Sequence, residues 1–140
     1  MSDKTTNFSD VGDFHRKFDL PVFDGYEHDV PADLLEFRES FLREELDEFS
    51  RGVAAGDPVQ MFDALLDITY VAMGTAHVMG FPWQEGWDEV QRSNMAKVRA
   101  QSDGRDSKRL SAYDVVKPEG WEGPKLEGVL ATLSRPKGSA

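Results

Sequence analysis

The chain has 140 residues, no cysteine, and 26 acidic against 16 basic side chains, a formal net charge of −10. That length suits one domain with a core of its own, and the missing cysteines exclude a disulfide framework or a thiolate metal site. The acidic surplus speaks against broad contact with a nucleic-acid backbone, but it leaves room for a small phosphate ligand bridged to acid by a cation.

The first ten residues are polar and lack the basic and then apolar blocks of a signal peptide, so a cytoplasmic protein is expected. A short helix is predicted over residues 10–18, with Val11, Phe14, His15 and Phe18 on one side. Residues 20–31 read as a loop holding Pro21, Gly25 and Pro31. Pro31 suits the opening of a second helix, predicted over residues 32–54. In the turn that follows, Gly56 ends one helix, Asp57 caps the next and Pro58 takes its first position. A third helix is predicted over residues 59–79, stopping at Gly80. Phe81 and Pro82 open a fourth, predicted to reach about residue 99. Residues 101–107 are polar, the Gly/Pro-rich run 117–124 cannot be regular helix, and residues 134–140 read as a loose end.

These elements predict an all-α, antiparallel helical bundle. The expected organisation is a single domain over residues 1–140, with a core at about 10–100 and an extended C-terminal segment at 101–140. The stretch 61–81 is almost long enough to span a bilayer. It contains Asp63, Asp67 and His77, and each central Asp would cost roughly 2.5–3.5 kcal/mol in lipid. It therefore reads as a core helix buried nearly all round, and no membrane contact is expected. Long apolar helices in so small a chain also point to a second subunit that covers them, as a homodimer or homotetramer.

On the second helix, Leu34, Phe37, Phe41, Glu45 and Glu48 share one face, and Leu35, Leu42, Leu46, Phe49 and Val53 form an adjoining apolar strip. Glu45 thus faces apolar surroundings, which is costly for a carboxylate unless it is paired or bound to metal. Glu44 and Glu48 stand four apart at the edge of this face. The third helix repeats the feature: Asp63 and Asp67 stack one turn apart on an otherwise apolar helix, and Tyr70, Gly74 and His77 continue their face. Side by side, the two helices would bring up to five carboxylates together: Glu44, Glu45, Glu48, Asp63 and Asp67. Hard oxygen ligands in this number suit Mg²⁺, with Mn²⁺ as a substitute. Glu-Glu-x-x-Glu by itself is common on solvated faces, and Asp63 and Asp67 could instead pair with Arg38, Arg43 or Arg92 as a salt-bridge network.

The run Glu44-Glu45-Leu46-Asp47-Glu48 followed by Asp63-Ala64-Leu65-Leu66-Asp67 resembles the MazG-like, all-alpha nucleoside triphosphate pyrophosphohydrolases. That superfamily also contains the phosphoribosyl-ATP pyrophosphohydrolases and the dimeric dUTPases. Its pattern, Glu-Glu-x-x-Glu on one helix and Glu-x-x-Asp on the next, matches at Glu45, Glu48 and Asp67. The glutamate of the second motif falls at Ala64, which cannot bind metal, and Asp63 one residue earlier is the candidate substitute. Asn94-Met95-Ala96-Lys97, Phe14-His15-Arg16-Lys17-Phe18 and Lys117-Pro118-Glu119-Gly120-Trp121 also resemble stretches of phage-type and small bacterial members. The likeness runs from about residue 10 to residue 124, and it rests on the order and spacing of the motifs.

The resemblance implies a Mg²⁺-dependent hydrolase that converts a (deoxy)nucleoside triphosphate to monophosphate and pyrophosphate, for nucleotide pool control or clean-up. Metal ligands would be Glu45, Glu48 and Asp67 with Asp63 as a fourth, and Glu44 or Glu48 would line up the attacking water. The alternative is a non-catalytic nucleotide- or metal-binding regulator, which the alanine at position 64 favours.

Further candidates for substrate contact are less specific. Asn94 and Lys97 stand three apart on the fourth helix, where Lys97 could meet phosphate; an ordinary solvated pair is the plain alternative. Tyr70 could orient substrate or be a core tyrosine. His15 could meet a nucleobase or be a satisfied core histidine. Lys117, with Lys108 and Arg109, lies in or before the Gly/Pro-rich segment, which could fold over a triphosphate or be a free tail. Trp121 argues for docking. His28 and His77 have no ligand spacing, and a phosphate-binding Gly-Lys loop is absent.

Overall fold

The computed structural model describes residues 6–23 and 30–132. Its elements are α1 (Asn7–Lys17), α2 (Ala32–Ala55), α3 (Pro58–Met79), α4 (Trp83–Met95), β1 (Val98–Arg99), β2 (Val115–Val116) and α5 (Leu126–Ala131). The protein is all-α; its described strands form one two-residue antiparallel ladder, Val98 opposite Val116 and Arg99 opposite Val115. Most of the loop around Gly25 and His28, and the loose end at residues 134–140, lie outside the described residues. None of the described helices is long and apolar enough to cross a membrane.

The chain divides into two compact units, one reaching to Trp83 and the other spanning Gln84–Thr132. In the first, local signals set the helix ends. Thr6 and Ser9 form a reciprocal capping box, so α1 starts three residues before the expected position. At the α2–α3 turn, Gly56 takes the left-handed conformation (φ 61°) and the Asp57 carboxylate accepts from the N–H groups of Val59 and Gln60. Gly80 closes α3 in the same left-handed way (φ 66°).

The α2–α3 hairpin is built on a narrow seam. The buried residues of α2 are Arg38, Glu45 and Gly52, and those of α3 include Ala64, Val71 and Val78. Both series repeat every seven residues, the spacing at which two helices keep one line of contact. Gly52 lets the helices close at the turn end, since a Cβ there would come within 3.0 Å of Met61.

The narrow seam corrects two expectations. The strip on α2 is not a core face throughout, because Leu46 and Val53 are more than half exposed. Nor is α3 buried all round: Val59 and Phe62 are 76% and 64% exposed, and Leu65, Leu66 and Tyr70 are also open. One partner helix covers one stripe, and α1 covers only part of the rest through Val11, Gly12 and His15.

In the second unit, α4 ends at Met95, four residues before the predicted limit, because Val98 and Arg99 pair with β2. The β-branched Val98 meets Val116 across the ladder, and this pairing outweighs the weak helical continuation of the local sequence. Lys97 therefore lies beyond the helix and not on its face with Asn94; its N–H closes a turn on the Asn94 carbonyl (3.1 Å). Trp121 docks onto α4 by donating its indole N–H to the Ser93 carbonyl at 2.6 Å.

Candidate metal centre

The seam position of Glu45 gives the site its character. A heptad seam normally buries leucine or valine, yet here a carboxylate is only 8% exposed and its Oε2 makes no hydrogen bond among the described residues. Glu48, one turn on, and Asp67, across the hairpin on α3, are half-buried beside it. Carboxylate oxygens of Glu45, Glu48 and Asp67 all lie within 4.8 Å of one another. Burial, followed by the charges of Asp67, Glu48 and Glu44, pushes the Glu45 carboxyl up from its ordinary range. Burial, with Asp63 and Glu48 after it, does the same for Asp67.

Among the described residues no basic side chain answers these acids. Arg43 pairs with Glu39 (2.7 Å) and Arg92 with Glu89 (3.2 Å). Arg38 donates to the Thr75 hydroxyl (3.0 Å) and the Val71 carbonyl (2.9 Å). The salt-bridge alternative is therefore not what these side chains form. A buried oxygen without a partner and three mutually repelling carboxylates fit a divalent cation, which would supply the missing charge and take up the free lone pairs.

The other expected ligands stand further out. Asp63 is exposed, outside the cluster of three, and close enough to raise Asp67. With Glu48, Phe62 and Leu66 it lines an open recess of about 480 Å³ at the edge of the cluster. Glu44 is exposed and also outside the cluster, though its charge reaches Glu45. Ala64 is fully buried in the hairpin seam.

His15 belongs to a different part of the first unit. It is 4% exposed, and its Nδ1 has no hydrogen-bond partner among the described residues. Burial, with Arg38 and His77 adding to it, pushes its imidazole down toward the neutral form. A Cβ at Gly74 would lie 2.5 Å from Nη2 of Arg38 and 2.7 Å from Nε2 of His15. The glycine is thus what admits both side chains at this crossing. His77 stacks on Phe8 with ring centroids 3.8 Å apart, and its Nε2 lies 2.8 Å from the Phe8 carbonyl. Tyr70 is 40% exposed and meets Phe14 edge-on at 5.5 Å.

In the second unit Asn94 is exposed on α4. Lys97 and Lys117 place their ammonium groups 5.3 Å and 4.8 Å from the Trp121 ring centroid. Arg38, expected only as a partner for acid, is instead a buried cation bonded to Thr75 and Val71. The signal was available: Arg38, Glu45 and Gly52 share a seven-residue period.

The sequence profile of the phosphoribosyl-ATP pyrophosphohydrolase family matches residues 11–94. The chain belongs to this family. The matched residues contain all of Glu45, Glu48 and Asp67. An uncharacterized protein of Acanthamoeba polyphaga mimivirus is 32% identical over 82 residues, which is 56% of this chain and 33% of that protein. The chain therefore spans about a third of the length of the relative it matches. For a phosphoribosyl-ATP pyrophosphohydrolase family member, a cluster of acids able to hold a metal ion is consistent with a metal-dependent hydrolase of this general class.

Proposed function

We propose that the protein is a Mg²⁺-dependent nucleoside triphosphate pyrophosphohydrolase that acts on deoxynucleotides and releases monophosphate and pyrophosphate. The observation that carries this reading is the convergence of Glu45, Glu48 and Asp67 in a helical seam where Oε2 of Glu45 has no hydrogen-bond partner among the described residues. The proposed core is residues 10–100, in a homodimer or homotetramer. The open apolar stripe of Val59, Phe62 and Leu66 supports that assembly, because a patch of this kind marks an interface.

Glu45, Glu48 and Asp67 would hold the ion, with Asp63 at its margin. When bound, Mg²⁺ supplies positive charge against the phosphate oxygens as charge builds on them. Glu44 or Glu48 accepts a hydrogen bond from the attacking water and orients it. The water oxygen bonds to the α-phosphorus and the α–β bridging bond breaks. The bond's electron pair leaves with pyrophosphate, and the water proton passes to the carboxylate or to solvent. Lys97, Lys117 and Asn94 are proposed to contact the substrate phosphates or sugar, and Tyr70 and His15 its nucleoside part.

A second reading, a non-catalytic nucleotide- or metal-binding regulator, is favoured by one observation. Ala64 stands where the motif has a glutamate, and it is fully buried in the seam. A pyrophosphate-release screen separates the two readings. It would cover the eight common ribo- and deoxynucleoside triphosphates and phosphoribosyl-ATP, with Mg²⁺ and with chelator. Release from a deoxynucleotide with Mg²⁺ alone is expected. Binding of nucleotides with no release from any would overturn the enzyme reading.

A further inference from the structure

The second unit contains a cleft that lies outside the residues matched by the family profile. It has a volume of about 140 Å³ and is lined by Lys97, Lys108, Arg109 and Lys117, with Asp106, Asp114, Val115 and Val116 completing the wall. Four cations against two carboxylates leave two positive charges in excess, in a chain whose formal net charge is −10.

The acids of this cleft are already committed as struts. Asp114 accepts from the Ser107 hydroxyl (2.6 Å), from Arg109 (3.0 Å) and from the Val115 N–H (2.8 Å). These bonds hold its carboxyl down at about 2, so it stays ionised. Asp106 accepts from the Gln101 N–H at 2.8 Å. Gly104 (φ 69°) lets this loop fold tightly, since a Cβ there would lie 2.7 Å from the Ser111 backbone.

The lysines are the uncommitted groups. Among the described residues Lys97, Lys108 and Lys117 make no ion pair. Lys97 and Lys117 lie near one indole, which is itself pinned by its bond to Ser93. Cation–π contact orients an ammonium group and leaves its N–H donors available. Like charges gathered this way, with their counter-acids engaged elsewhere, suit an anion with about two negative charges and several acceptor oxygens. A phosphate group has both properties.

We propose that this cleft is a phosphate-binding site, made by Lys97, Lys108, Lys117 and the Asp114-anchored Arg109, that takes the phosphate end of pyrophosphate or of a triphosphate. It deepens the nucleotide reading given above, but the binding itself needs neither the acidic centre nor catalysis.

The probe is inorganic pyrophosphate, titrated calorimetrically into the full chain after divalent ions are stripped. Binding is expected, and Lys108→Ala/Lys117→Ala should weaken it at least tenfold, with circular dichroism unchanged. Lys108→Ala alone, at an exposed side chain, should weaken it several-fold and Lys108→Arg should restore it. Glu45→Gln should bind pyrophosphate like the parent chain. No binding by the parent, a change under twofold in the double variant, or loss in Glu45→Gln would each overturn the site.

If turnover exists, the two sources can be told apart. A raised KM in the double variant assigns the cleft to the triphosphate tail, whereas weakened product inhibition at constant KM assigns it to free pyrophosphate. Absence of turnover would sink the enzymatic reading and leave the calorimetric result standing.

Discussion

The two halves of the α2–α3 seam bury opposite charges in different ways. Arg38 and Glu45 stand seven residues apart on α2, about 10 Å along the axis at 1.5 Å per residue, and both are 8% exposed. Arg38 is solvated by protein: Thr75 and the Val71 carbonyl take its N–H groups, and Gly74 makes the space. Glu45 faces two more acids and, among the described residues, keeps one oxygen with no hydrogen-bond partner. A helix hairpin can thus satisfy a buried guanidinium with spare lone pairs of carbonyl and hydroxyl oxygens. It has no spare N–H groups to offer a carboxylate, because every mid-helix amide already donates within its helix. An ion from outside can do what the backbone cannot. The cationic end is satisfied within the protein, and the anionic end is the proposed working site.

The largest effect expected from this contrast is catalytic. Glu45→Ala or Asp67→Ala should lower pyrophosphate release by roughly 10²–10³-fold or more, the range for losing one preorganised electrostatic group, while circular dichroism stays helical. Full activity in both variants would contradict the assignment.

Thermal melts with and without Mg²⁺ sharpen the same point. The parent chain should gain about 2.7 kcal/mol when free Mg²⁺ reaches 100 times its dissociation constant, and Glu45→Gln should gain almost nothing. In chelator the sign of the pH effect follows from the raised carboxyls. A group whose folded pKa lies above its unfolded value stabilises fully below the unfolded value, and that contribution fades as pH rises through the folded one. The metal-free parent should therefore become more stable as pH falls from neutral toward the carboxylate range, less so in Glu45→Gln.

At the cationic end, Gly74→Ala should destabilise by about 1–3 kcal/mol, the usual cost of overpacking, because the new methyl meets Arg38 and His15. Its Mg²⁺ affinity should be unchanged, and a matching loss of affinity would show that the two ends are not independent.

The smallest expected effect belongs to the second unit. The Asp114 carboxyl is held down at about 2, so its contribution is present above its unfolded pKa and lost as pH falls through the folded one. Asp114→Asn should melt below the parent near neutral pH, and the gap should close between about pH 4 and pH 2. A gap independent of pH would exclude this origin.

Helix boundaries in the first unit were legible wherever a cap residue marks them. The exceptions have physical causes. The start of α1 rests on the Thr6–Ser9 box, whose second member is serine where the common pattern has glutamate or glutamine. The end of α4 is decided by Val115 and Val116, some twenty positions away, and no local signal reports it. Of the site, Glu45, Glu48 and Asp67 were legible because acids at helical spacing on apolar faces are costly unless something answers them. Asp63 was as legible as Asp67, yet it ends at the rim, since a seam one stripe wide does not bury both.

From the order of residues alone came the all-helical class, the hairpin turn at Gly56-Asp57-Pro58, the acidic pairing of two helices and the family likeness. Periodicity and capping are local, and so they survive without a fold. Only the tertiary structure decided which acids converge, that Arg38 bonds to Thr75 and Val71 and not to acid, and that the lysines of the second unit share a cleft. Those outcomes depend on which stripe of each helix is covered and on what stands across the contact. Residues distant in sequence set both, as Gly74 does for Arg38 and Trp121 for Lys97.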